Sequence, residues 1–80
     1  MGKREKLIQR IFKGRSVTPD EAINILELLG FRATPTGGSH LTFRKANRPS
    51  VTIVITQNPL KSYLAEELQE ALVNEGYQND

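Results

Sequence analysis

The chain has 80 residues, with eleven Lys or Arg against nine Asp or Glu, one His, and no Cys or Trp. This length supports one folding unit with a thin core; without thiols there is neither a disulfide framework nor a thiolate zinc site, and a lone imidazole cannot build a histidine cluster. No apolar run reaches the length of a membrane span or of a signal-peptide core, so the expectation is a single domain over residues 1–80 with a frayed tail at 77–80, cytoplasmic, with no membrane partner, cofactor or metal.

From Lys3 to Phe12 the apolar residues Leu7, Ile8, Ile11 and Phe12 recur at helical spacing among Lys3, Arg4, Lys6, Gln9 and Arg10. This predicts an amphipathic helix with a basic outer face. After the break at Lys13-Gly14-Arg15-Ser16, Thr18-Pro19-Asp20-Glu21 has the form of a capping box with proline at the first helical position. The helix that follows carries Ala22, Ile25, Leu26 and Leu29 on one face and meets Gly30 where a left-handed cap is wanted.

From Phe31 the period changes to two. Strands are predicted at 31–34, 39–45 and 50–56, with turns at Pro35-Thr36-Gly37-Gly38 and Ala46-Asn47-Arg48-Pro49. The last helix shows Leu60, Leu64, Leu68 and Leu72 at four-residue spacing, turns Glu66, Glu67 and Glu70 outward, and ends near Gly76. This order implies an α+β domain of two layers, with helices on one face of a three-stranded antiparallel sheet and the other face open. Alternation assigns Leu41, Phe43, Val51, Ile53 and Ile55 to the covered face, and His40, Thr42, Arg44, Thr52, Val54 and Thr56 to the open one.

Charge is distributed unevenly along this plan. Residues 1–15 carry +5, 16–31 carry −3, 32–61 carry +5 with no acid at all, and 62–80 carry −5. A thirty-residue stretch free of carboxylates is where an anionic backbone meets least repulsion, although solvated strand and loop positions would read the same way. Within it lies Gly37-Gly38-Ser39-His40-Leu41-Thr42-Phe43-Arg44. Imidazole is the side chain best suited to take and give a proton near neutrality, and the glycines ahead of it permit close approach of a ligand backbone or simply a hairpin turn.

The Leu29-Gly30-Phe31 junction, the Gly38-Ser39-His40 motif with Thr42-Phe43 after it, the β-branched strand and the closing helix together resemble the HicA toxin family over residues 3–72. The resemblance implies a fold like that of double-stranded-RNA-binding domains, messenger-RNA cleavage as a toxin of a toxin–antitoxin pair, a catalytic histidine at His40, and neutralisation by a HicB-type antitoxin covering the face around it. The chain departs from the family pattern at Leu41, where a second histidine or aromatic is common, and at Ile53-Val54-Ile55-Thr56-Gln57, where many members have a proline and a further histidine.

The chemistry consistent with these residues is metal-independent. A base takes the proton of the 2′-hydroxyl, which attacks the adjacent phosphorus and leaves a 2′,3′-cyclic phosphate and a 5′-hydroxyl. His40 is the candidate base. Arg44, on the same strand face, is the first choice to hold the scissile phosphate, with Lys45, Arg32 and Lys61 behind it. Gly38 and Ser39 complete the substrate-binding set. Ser39 as a nucleophile is disfavoured because neighbouring strand residues face opposite ways. The proton for the leaving oxygen has no assigned source; Lys45, Lys61, water and a ribosomal or substrate group are all candidates. Lys3, Arg4, Lys6, Arg10, Lys13 and Arg15 either extend an RNA footprint or form a solvated helix face. The alternatives are a noncatalytic RNA-binding module and a basic protein-interaction domain.

Overall fold

The computed structural model describes residues 2–79. Helices α1 (Lys3–Phe12) and α2 (Pro19–Leu28) precede strands β1 (Arg32–Gly37), β2 (His40–Arg44) and β3 (Val51–Val54), and α3 (Ser62–Asn74) closes the chain. The strands form one antiparallel sheet in the order β1-β2-β3. This is the small α+β domain that the periodicities predict.

Local chemistry fixes the helix ends. At the start of α2 the Glu21 backbone N–H donates to Thr18 Oγ1 (3.2 Å) and the Thr18 N–H donates to Glu21 Oε1 (3.0 Å), so the capping box is closed in both directions. Each helix ends in a Schellman motif: Arg15 N–H to the Arg10 carbonyl after α1, Phe31 to Leu26 after α2 and Tyr77 to Leu72 after α3. Gly14, Gly30 and Gly76 hold the positive φ that each motif requires. In the second motif Phe31 and Leu26 are both buried, the apolar contact that accompanies such caps. The Leu-Gly-Phe junction is thereby accounted for as a helix terminator.

The core joins Ile8, Ile11, Ala22, Ile25, Leu26, Leu64, Leu68 and Leu72 of the helices to Phe43, Val51 and Ile53 of the sheet. Helices α2 and α3 pack on β3, and α1 packs on α2 and α3. The helical layer therefore sits toward one side of the sheet, and every residue of β1 is exposed. Pro35 is tolerated there because β1 is an edge strand and its missing donor breaks no necessary ladder bond.

Several boundaries differ from expectation, each for a local reason. Phe31 is not a strand residue, since its N–H is committed to the α2 cap. The first strand instead runs on through Pro35 and Thr36 to Gly37, leaving Gly38-Ser39 as the turn. The second strand is one residue shorter at each end than predicted. The third ends at Val54, where a turn closed by Gln57 N–H on the Val54 carbonyl redirects the chain, so Ile55 is 46% exposed and does not share the core side of Ile53. Leu60 is buried but precedes α3, its N–H donating to the Val17 carbonyl at 2.9 Å and stitching this loop to the α1–α2 connection. Tyr77, expected at the start of a frayed tail, is docked on the core through the α3 cap; Gln78 and Asn79 are exposed, and Asp80 lies outside the described residues.

Candidate nucleic-acid interface

The register builds the open face row by row. Arg32 lies opposite Arg44, Thr34 opposite Thr42 and Gly37 opposite His40, while on the other flank Thr52 meets Thr42 and Val54 meets His40. A bulge between Pro35 and Gly37 inserts Thr36 on the same side. Thr36 Oγ1, Thr42 Oγ1 and Thr52 Oγ1 then form a chain of hydroxyls at 3.2 and 3.0 Å that crosses all three strands. His40 is exposed on one side of this chain of hydroxyls, and the Arg pair is exposed on the other. No Asp or Glu occurs between residues 32 and 61, so the three strands contribute none to the face.

His40 is placed by the hairpin. Gly37 and Gly38 have φ of +123° and +55°, conformations that L side chains rarely adopt. A Cβ at either would meet nothing within 4 Å, so the turn needs glycine for its backbone shape and stands clear of the rest of the protein. Ser39 belongs to the turn, and its carbonyl accepts the Ile55 N–H at 2.9 Å, tying the exit of β3 beside His40. Among the described residues the His40 ring has no hydrogen-bond partner. Leu41, the position where the resembled family commonly has a second histidine or aromatic, faces the core opposite Ile53.

The structure separates the other candidate site residues. Arg44 shares the face of His40 but lies four residues along β2, about 14 Å at roughly 3.4 Å per residue. The two side chains therefore address different points on a ligand, and Arg44 is not placed to hold the phosphate at His40. Arg32, from β1, stands beside Arg44. Neither arginine has an ion pair among the described residues.

Lys45 follows Arg44 and by alternation leaves the face altogether. Its Nζ donates to the Leu29 carbonyl (2.8 Å) and to Glu75 Oε1 (2.7 Å). Arg48 Nε donates to the second oxygen, Glu75 Oε2 (2.8 Å), and its Nη2 to the Asn74 carbonyl (3.1 Å). Lys45 and Arg48 thus brace the carboxyl ends of α2 and α3, and Lys45 does not share the face of His40. Hydrogen bonds from Lys45 and then Arg48 hold the Glu75 carboxyl below its ordinary value of 4.5. Glu75 stands just before Gly76, apart from Glu66, Glu67 and Glu70, and that position is the signal the sequence offers for it; of those three, expected to turn outward, Glu66 and Glu70 are exposed and Glu67 is half-buried.

Lys61 occupies the cap position of α3, in the helical layer, where it lines a shallow cleft with Arg15, Ser16 and Ser62. It is not on the sheet face. The basic residues of α1 lie on the helical side as well, since α1 packs on α2 and α3. Of these, Arg10 is engaged with Glu21 (2.8 Å) and the Ser16 carbonyl (3.0 Å). The +5 of residues 32–61 therefore divides: Arg32 and Arg44 stand on the open face, Lys45 and Arg48 brace helix ends, and Lys61 lies elsewhere.

Among the described residues no helix is long and apolar enough to cross a membrane, and no three His, Asp or Glu side chains converge as a metal site. Compared with known proteins, the chain matches no family model, no curated sequence and no solved structure.

Proposed function

We propose that the chain is a metal-independent endoribonuclease of the HicA type, acting on messenger RNA at the open sheet face and neutralised by an antitoxin that covers it. The observation that carries this reading is an exposed face whose strands contribute no acid, with an imidazole and two guanidiniums on the same side that have no side-chain partner among the described residues. RNA supplies its own nucleophile. His40 accepts the 2′-hydroxyl proton, the 2′-oxygen bonds to phosphorus, and the 5′-oxygen leaves and takes a proton from water. A positioned base of this kind contributes about 10²–10⁴ in rate. The unpartnered His40 ring also supports a second reading, a noncatalytic RNA-binding module of the same fold, because catalytic bases are commonly oriented by a third group.

The two readings separate in one experiment. Purified protein and His40→Ala are incubated with RNA in EDTA, with binding measured in parallel. Loss of cleavage with retained binding supports the nuclease; equal nicking by both proteins refutes it; binding without cleavage by either leaves the RNA-binding module.

A further inference from the structure

Arg32 and Arg44 are directly opposed across β1 and β2. Residues so placed have Cβ atoms about 4.5–5.5 Å apart, and like charges there destabilise the sheet. Lys45 and Arg48, only a few residues away, are each satisfied by Glu75. The Arg pair has no such acid among the described residues, and both side chains are exposed. Two guanidiniums fixed side by side by backbone pairing present a fork of donors suited to a phosphate.

We infer that Arg32 and Arg44 together hold one backbone phosphate of RNA, remote from the phosphate at His40. This rests on the open face being the RNA-binding face. At about 3.4 Å rise per residue the two subsites are about 14 Å apart along β2, a span of a few nucleotides of an RNA strand. The Thr36-Thr42-Thr52 hydroxyls lie between the subsites. The strand of RNA therefore runs along β2, and the protein recognises a segment of several nucleotides through its backbone, with one end at the imidazole and the other at the arginine fork.

The test uses a fluorescent 2′-O-methyl RNA octamer, which lacks the nucleophile, titrated against the full chain over a salt series. Each single-strand phosphate contact contributes about 0.7 to the slope of log K on log salt. Because both arginines address one phosphate, the Arg32→Gln/Arg44→Gln double variant loses about 0.7 of slope, while each single variant loses much less, since the remaining guanidinium still neutralises that phosphate. A loss of about 1.4 in the double variant assigns the arginines to two phosphates and overturns the shared subsite, as does an unchanged slope or a wild type that does not bind. Melting in inorganic phosphate against chloride at equal ionic strength gives the second arm: wild type gains in Tm relative to the double variant. A phosphate-dependent gain without a change in RNA slope assigns the fork to small phosphate compounds and overturns the RNA assignment. The double variant melts at or above wild type in low salt, since a like-charge pair has been removed, so loss of folding does not explain weaker binding. If the octamer shows the predicted slopes while unmodified RNA stays intact, the subsite stands and the nuclease reading falls. If RNA is cut and the slope does not respond to the double substitution, the reverse holds.

Discussion

Thr42 is the residue whose replacement best tests whether the face described above is open. It is 6% exposed although it points away from the core, because Thr36 and Thr52 flank its hydroxyl at 3.2 and 3.0 Å. Thr42→Val keeps the β-branched shape suited to the strand and exchanges the hydroxyl for a methyl. Two hydrogen bonds are lost, each with a net value of about 0.5–1.5 kcal/mol. Thr36 and Thr52 are both exposed and turn to water, so no buried group is orphaned. Burying a further methyl returns about 0.8 kcal/mol. The expected net loss is about 1 kcal/mol, which for a domain of this size lowers Tm by about 4–8 °C. Denaturant unfolding followed by circular dichroism measures it, with the m-value expected to stay constant. A loss above about 3 kcal/mol has a different meaning: it requires Thr36 or Thr52 to be left unsatisfied away from water. The face would then be covered in solution, and the argument for a free RNA surface would fail.

Thr18→Ala removes the acceptor of the α2 capping box and is expected to cost about 1 kcal/mol, read as a lower denaturant midpoint. Below the ordinary carboxylate value of 4.5, stability should fall. Glu75 is held low by Lys45 and Arg48, and Glu21 by the Arg10 side chain and then the Thr18 N–H. For groups with lowered folded pKa the stabilisation is present above the unfolded pKa and lost as pH falls through the folded one. Glu75→Gln and Glu21→Gln should therefore flatten the acid limb of a stability–pH curve, and an unchanged limb would contradict the bracing role of these carboxylates. Glu67 has the opposite sign. Burial beside the groove it lines with Phe31 and Val51, then repulsion from Glu70, raises its carboxyl, so its charged form is held at a cost in the folded state. Glu67→Gln should raise Tm at pH 7 and lose that advantage as the pH drops toward 4.5, a difference visible in paired thermal melts.

Most of the architecture was legible because each element carries a local signal that agrees with its tertiary use. Thr18 through Glu21 announced α2 by a closed capping box, and Leu29-Gly30-Phe31 announced its end. The strands were placed less well. Phe31 and Ile55 have the apolar, extended look of strand residues, yet Phe31 is taken by a helix cap and Ile55 by a turn. Alternation correctly put His40, Thr42 and Arg44 on one face. What it could not supply was the partner strand: the pairing of Arg32 with Arg44 depends on register, and the register depends on a bulge at Thr36 that no residue type marks.

The same limit explains why the basic segment could not be read as one patch. Charge counted along the chain treats Arg44 and Lys45 as neighbours, whereas the pleat sends them to opposite sides of the sheet. On the helix side, Lys45 meets Leu29 and Glu75, the two places where α2 and α3 present unsatisfied carbonyls or an acid, and its charge is consumed in holding the layers together. On the open side, Arg44 is paired in register with Arg32 and has no ion pair among the described residues. A side chain whose charge is neutralised within the fold costs little to keep and says nothing of a ligand, while a cross-strand pair of like charges is a standing cost that binding an anion would relieve. The acid-free segment is thus informative through the two arginines that the fold leaves uncompensated, and those two lie on the same face as the only histidine in the chain.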